Sequence, residues 1–474
     1  MILTLLVHLH QRGFSQNWLP LSHGVGCDAV PYSFIEDIYA DNDENKIYLS
    51  GNFFYMEDGD FESCDTLTAG AAVWDGKGFT NLRHDPWFQQ GFHVTKYKGK
   101  VYATAPIFNG NNLTATFNEW NGTDWNFLPN APWGRVLNSK VINGDLWLLG
   151  QNGKCCEEQN LQMMCRFDGE NFYPITINGV NQPNIITSLD FLNDTMYVAG
   201  YYYNLDSTGY KACFGAFYNN QIHFTDPTFT PESGINYDCM LTYKNELYLG
   251  GFMKFSGEDT VRYLLKYDGK KFTQVGDALL NQQPVAMKVY NDELYILGFF
   301  DMLGDQPAEG LIKWNGEKYT ILNTDTLRRI FPEQLGIPLH LTTATGMIQS
   351  FDILNDTLYI AGSFYTIGKD TMRCIAKYNH ALSDPIPAPT ENNLSLYPNP
   401  SSNEVTIGYS LNGLQDVSFG IYDMQGKIVR EVEKPNKNAG KYILKIDISS
   451  LATGMYIVRM QTANGALYKK LLKE

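Results

Sequence analysis

Long apolar runs are missing from this chain: no stretch reaches the roughly 18 apolar residues that a membrane-spanning helix needs, so no transmembrane segment is expected. Positive charge is scarce as well. Lys plus Arg number 36 against 51 Asp plus Glu, and the net charge of −15 argues against nucleic acid or an anionic membrane surface as the main partner. No C-x-x-C pair occurs and the histidines are scattered without ligand spacing, so no metal and no cofactor is expected. The motifs of known chemistry are absent too: no G-x-S-x-G, no H-E-x-x-H, no phosphate loop and no S-x-D-x-G-x-T-W box. A non-enzymatic protein is therefore the expectation, with the reservation that carboxylates converging from distant segments leave no mark in a sequence.

What is present points to β-structure. Aromatic residues make up 14%, with 30 Tyr and 27 Phe, beside 42 Gly, a mixture that suits short strands and tight turns. Hydrophobic residues at 44% exclude a disordered chain. Charge divides the chain in two: residues 391–474 carry 10 basic and 8 acidic side chains, which leaves −17 on residues 1–390.

The N-terminus opens on an apolar run from Ile2 to Val7 and reaches Gly13-Phe14-Ser15, a small-x-small pattern. It reads as a secretory signal over residues 1–15, cleaved after Ser15. No basic residue precedes the run, as an upstream start would explain. All eight cysteines lie beyond that point, an even number that fits disulfides in an oxidising compartment. A short internal bridge is expected in the loop that holds Cys155, Cys156 and Cys165, with Cys156 and Cys165 as candidates.

A strand ending in Tyr-x-x-Gly recurs at Tyr48, Tyr197, Tyr248, Tyr295 and Tyr359, with divergent copies at Trp147 and Tyr102. Seven copies at a mean period near 52 residues result. Before each Tyr stands an alternating run and a polar turn, as in residues 186–200, which makes a hairpin. After the Gly a variable loop leads to a third strand ending in an aromatic and a tight turn, such as Trp74-Asp75-Gly76 or Tyr267-Asp268-Gly269, and a short fourth strand follows. Four antiparallel strands repeated seven times predict a seven-bladed β-propeller over residues 16–380. The seventh copy stops at Asn379 without a fourth strand, whereas Asn17 to Leu21 resemble the fourth strands elsewhere, so the N-terminus is expected to close the ring. A Cys27 to Cys374 disulfide would latch that closure, with Cys27 to Cys64 as the competing pairing. Cys213 and Cys239 take comparable places around the fourth blade. The repeat, N-D-x-L-Y-I-x-G-x-F followed by I-x-K-W-N-G-x-x-F, resembles the kelch-like repeats of extracellular propellers, including those of the Rax2-like type. That resemblance implies the fold and is nearly silent on function.

Residues 381–396, with Pro385, Pro387 and Pro389, read as an extended linker. Residues 397–474 read as a small immunoglobulin-like β-sandwich, with Pro and Gly at the turns and period-two runs such as Val405 to Tyr409. Four motifs occur in order: Tyr397-Pro398-Asn399-Pro400, the turn ending at Gly426, the segment Gly454-Met455-Tyr456, and Lys469-Lys470 near the end. Together they resemble the type A sorting domain of the type IX secretion system of Bacteroidetes. The resemblance implies Sec export, passage through the outer membrane on the secretion machinery, removal of the tail, and a protein released or fixed at the cell surface.

In a blade of this grammar the loops between strands one and two and between three and four share one face, and here they are short. The opposite face carries long loops, including residues 52–69, 151–164 and 322–347, and is the expected binding face for an extracellular protein or glycan. Trp87 and Trp133, each preceded by Pro at equivalent points of adjacent blades, are candidates to stack on a sugar or anchor a partner; Arg328 and Arg329 come next. The runner-up is a polysaccharide-processing hydrolase or lyase on the same scaffold. Acidic runs at Asp41 to Glu44 and Glu57 to Asp60 lack the calcium-loop pattern and read as solvated loops. A monomer is expected.

Overall fold

The computed structural model describes residues 18–22, 24–25, 33–53, 55–56, 66–67, 70–82, 91–109, 112–154, 164–175, 184–204, 209–219, 221–224, 237–254, 260–323, 325–330, 343–379, 392–413, 415–437, 440–463 and 465–474. Every named element of regular structure among them is a β-strand. The signal segment and most of the linker lie outside the described residues.

The first compact unit covers residues 1–299 and 310–384. It holds seven four-stranded antiparallel repeats, five as separate sheets and two joined in one eight-stranded sheet where Thr116 lies opposite Trp133, the architecture of a β-propeller. Their first strands are Phe34–Asp41, His93–Tyr97, Trp133–Ile142, Asn184–Leu192, Tyr237–Tyr243, Pro284–Tyr290 and Ile348–Leu354. First strands of neighbouring sheets pack on one another, and Phe34–Asp41 packs on Ile348–Leu354, so the series of sheets returns to its start. The fourth strand of the seventh sheet is Trp18–Pro20, antiparallel to Ile375–Tyr378 with Trp18 opposite Tyr378. Trp18 is fully buried, its indole Nε1–H donates to Asn323 Oδ1 at 3.1 Å, and its ring meets Tyr378 edge-on at 5.2 Å.

The repeat grammar has a local physical cause at each point. The hairpin from first to second strand needs two residues with positive φ, and Asn-Asp supplies them: φ is 48° and 61° at Asn193-Asp194, and 47° and 62° at Asn355-Asp356. At the turn between third and fourth strands an Asx side chain takes two backbone N–H groups, as Asp268 Oδ1 does from Lys270 (2.8 Å) and Lys271 (2.9 Å), and Gly269 follows at φ 95°. The aromatic before that turn packs on one just after it: ring centroids are 4.8 Å apart for Trp74 and Phe79, 4.4 Å for Phe167 and Phe172, and 4.5 Å for Trp314 and Tyr319.

The Gly of Tyr-x-x-Gly answers a bulge. Six of the seven first strands shift register just before the same position. There the bulged backbone crowds the second strand, so that a Cβ at Gly51, Gly200 or Gly362 would lie 2.3, 2.0 or 2.1 Å from a carbonyl oxygen. The remaining first strand, His93–Tyr97, begins at that position, and there the repeat carries Ala105 in place of Gly.

The second compact unit comprises residues 300–309 and 385–474. Its C-terminal part is a sandwich of a three-stranded sheet (Asn393–Tyr397, Glu404–Leu411, Gly440–Asp447) and a four-stranded one (Ile428–Lys437, Gln415–Tyr422, Gly454–Thr462, Gly465–Lys473). Inward residues of both sheets, among them Ile407, Phe419, Tyr442 and Val458, form one core.

Candidate functional site

Six of the seven first strands are edges of their sheets, and the other, Trp133–Ile142, meets a second strand only at Trp133 opposite Thr116, so many of their backbone N–H groups have no strand to pair with. Side chains of the neighbouring sheet take their place. The residue opposite the second position after the repeat aromatic is Asp37, His93, Asn138, Ser188, Cys239, Ala286 and Ser350 in the seven sheets. From this position Ser350 Oγ accepts from Ile38 N (3.2 Å), Asp37 Oδ2 from Val94 N (3.1 Å) and Ser188 Oγ from Met240 N (3.0 Å), each in the next sheet. Two residues further along, Asp190 and Asp352 do the same for Thr242 N and Ala40 N, both at 2.8 Å.

Over sheets seven, one, two and three these latches fuse into a continuous relay. Ser350 Oγ donates to Asp37 Oδ1 at 2.8 Å, Asp37 Oδ2 lies 2.7 Å from His93 Nδ1, and His93 Nε2 lies 2.8 Å from Ser139 Oγ. Beside it Arg135 Nη2 pairs with Glu36 Oε1 at 2.8 Å, and the Arg135 guanidinium stacks 4.4 Å from the Phe92 ring. Burial holds the Glu36 carboxyl above the ordinary carboxylate range, with Arg135 pulling the other way. Arg135 Nε and Gln349 Oε1 are buried with no hydrogen-bond partner. First strands run from the long-loop face toward the short turns, so this cluster sits at the long-loop end of the innermost strands. A buried base held by a carboxylate, next to a hydroxyl and an ion pair, is equipped to bind polar ligands and to move a proton.

The residues expected from the sequence stand as follows. Trp87 lies outside the described residues, and the backbone of Trp133 opens the first strand of the third sheet, opposite Lys154. Arg328 and Arg329 stand on the strand Leu327–Ile330, which pairs with Thr343–Thr345 and with Thr366–Ile367, so part of the expected loop 322–347 is a small sheet. Cys27 and Cys156 lie outside the described residues; Cys165 is buried and disulfide-bonded. Cys213 pairs with Gly200 along its strand, Cys239 is buried at the latch position, and buried Cys374 has its Sγ 3.2 Å from Ser33 O. In the acidic run Asp41 to Glu44 two of the three acids are paired with cations: Lys46 and Lys96 each lie 2.7 Å from Glu44, and Lys96 also pairs with Asp41. Among the described residues no group of three or more His, Cys, Asp or Glu is arranged to hold a metal ion.

In the C-terminal sandwich the first and last motifs meet. Asn399 Nδ2 donates to Lys470 O at 2.8 Å while Asn399 Oδ1 accepts from Leu472 N at 2.9 Å, and Ser401 bridges Lys473 in parallel. Tyr397, Pro398 and Pro400 are exposed along this edge, as are Lys469 and Lys470. The second motif is an Asx turn in which Asp423 Oδ1 takes the N–H groups of Gln425 (3.0 Å) and Lys427 (2.9 Å), with Gly426 at φ 82°. Gly454 starts the next strand at φ 156°, and Tyr456 is buried with its hydroxyl donated to Ala452 O at 2.8 Å.

Residues 395–474 match the secretion system C-terminal sorting domain family, so the chain carries the sorting domain of a secreted protein. No curated protein matches the chain. Among solved structures it is similar to PorZ, an essential surface component of the type IX secretion system of Porphyromonas gingivalis, at 10% identity and a TM-score of 0.32. That likeness covers 94% of this chain and 66% of PorZ, so this chain spans just under two thirds of the PorZ chain. It is also similar to the AfRom2 CNH domain (9% identity, TM-score 0.40, 77% of this chain and 99% of that one). A third likeness is to a GH43_1 enzyme from Xanthomonas citri (11% identity, TM-score 0.27, 53% of this chain and 94% of that one). Likenesses of this size carry no functional argument.

The relay was not legible as a motif, because its members stand one to a repeat. Aligning the seven copies on the strand aromatic, with two residues allowed for the longer first turn, brings Asp37, His93 and Ser350 into one column, and Ser139 stands one residue past that column.

Proposed function

We propose that this is a propeller exported through the type IX secretion system by its C-terminal sandwich, after Sec-dependent passage on residues 1–15, and that it binds an extracellular glycan or protein through its long-loop face. The sorting-domain match over residues 395–474 is the observation that carries the export half. The binding half is supported by the contrast between tight turns on one face and long loops on the other, and by the polar cluster around Glu36, His93 and Arg135 at the long-loop end of the inner strands. Trp87 and Trp133 are the proposed anchors, with Arg328 and Arg329 as the next candidates. The test is a glycan array probed with the purified protein, followed by W87A and W133A. Each replacement is expected to weaken binding by about 1 kcal/mol or more while hardly moving the melting temperature. A marked loss of stability in both variants, with affinity per folded molecule unchanged, would assign the two rings to packing.

A further inference from the structure

We propose that Ser139, His93 and Asp37 act as nucleophile, base and orienting carboxylate, and that the propeller hydrolyses small carboxylic esters at the long-loop end of its inner strands. The proposal goes beyond ligand binding and depends on neither the export route nor the tryptophan anchors.

The geometry assigns the roles. Asp37 stands 2.7 Å from His93 Nδ1, which places the ring proton there and leaves Nε2 as an acceptor, and Ser139 Oγ is 2.8 Å from that nitrogen. The carboxylate is itself fixed by Val94 N at 3.1 Å and Ser350 Oγ at 2.8 Å, so the base is held by a group that is held in turn. Three successive inner strands each contribute one member, which fixes their mutual positions through the packing of sheets. A purely structural serine looks different in this fold: Ser188 spends its hydroxyl on the backbone of Met240, accepting from N at 3.0 Å and donating to O at 3.1 Å. Ser139 faces a base instead. His93 is only 9% exposed and Ser139 is half-buried, which favours a small acyl group such as acetyl.

In the first half-reaction Ser139 Oγ attacks the ester carbonyl carbon while its proton passes to His93 Nε2. The bond from that carbon to the leaving oxygen breaks, and the same proton goes to the departing alkoxide. Water then gives a proton to Nε2 and attacks the acyl carbon, the bond to Oγ breaks, and Oγ recovers the proton. Ester and water become acid and alcohol, with no oxidant, reductant or cofactor.

The full chain, shown folded by a cooperative melt, is treated with a fluorophosphonate probe and mapped by peptide mass spectrometry, and p-nitrophenyl acetate hydrolysis is followed in parallel. The expected result is a single phosphonylated site at Ser139, lost in S139A together with the esterase activity. H93Q should lower the hydrolysis rate by at least about a hundredfold. S188A, altering the equivalent latch outside the relay, should label and hydrolyse like the parent. Should H93Q fail to fold, S139A decides, since it removes one hydroxyl and its melt reports whether the fold survives. A folded parent protein that takes no probe at Ser139, or a folded S139A that hydrolyses the ester as before, overturns the proposal and leaves the relay as a latch between sheets.

Discussion

Glu44 shows how a residue's surroundings reverse what its sequence context suggests. In the sequence it belongs to a run of acids; in the fold the ammonium groups of Lys46 and Lys96 hold its carboxyl well below the ordinary value of 4.5, at about 2, by direct hydrogen bonds. A depressed folded pKa stabilises the protein at pH above the ordinary carboxylate value, and that contribution is lost as pH falls from about 5 toward 2. The side chain is 42% exposed, so solvent screening keeps the effect under about 1 kcal/mol. Urea denaturation of E44Q across this window should therefore show a shallower acid loss than the parent; an equal slope in both would remove Glu44 from the acid response. Lys96, 52 residues away in sequence from Glu44, is the partner that no reading of the acidic run could supply.

Elements were the most legible scale, because their causes are local. Asn-Asp at positive φ, Asx followed by Gly, and paired aromatics five residues apart each need only neighbours in sequence, so the repeat divides into strands from the sequence alone. The strand Trp18–Pro20 was legible for a different reason: the seventh repeat lacks its fourth strand, and the one unassigned strand-like segment stands at the other end of the chain. Its energetic weight lies in Trp18. Removing that ring in W18A deletes a buried aromatic and leaves Asn323 Oδ1 without the indole donor, for an expected loss of about 3–5 kcal/mol in a denaturant titration. A loss below about 1 kcal/mol would mean that the closing strand contributes little to the propeller. The bulges were not legible, since a register shift is a property of two strands; the Gly of each repeat was visible, and the reason for it, a carbonyl about 2 Å from any Cβ, was not. The relay escaped for the same cause: Asp37, His93 and Ser139 each look like an ordinary polar residue of a half-buried strand.

At the scale of the whole molecule the account joins a propeller to a tail that decides where the propeller goes. The tail was legible as four separated motifs, and the sandwich explains two of them together: Asn399 zips the Tyr397 to Pro400 segment to the terminal strand at Lys470 and Leu472, so the first and last motifs form one exposed edge. The most direct test of the central claim is a fractionation assay in a bacterium with a working type IX system. The intact protein, a version lacking residues 391–474, and a periplasmic reporter carrying residues 391–474 at its C-terminus are each expressed and followed into periplasm, cell surface and medium. The account predicts that the intact protein and the reporter leave the cell and that the truncated propeller stays in the periplasm, folded by its protease resistance. Truncated protein in the medium or on the surface at the parent's level, or a reporter retained in the periplasm, would contradict it.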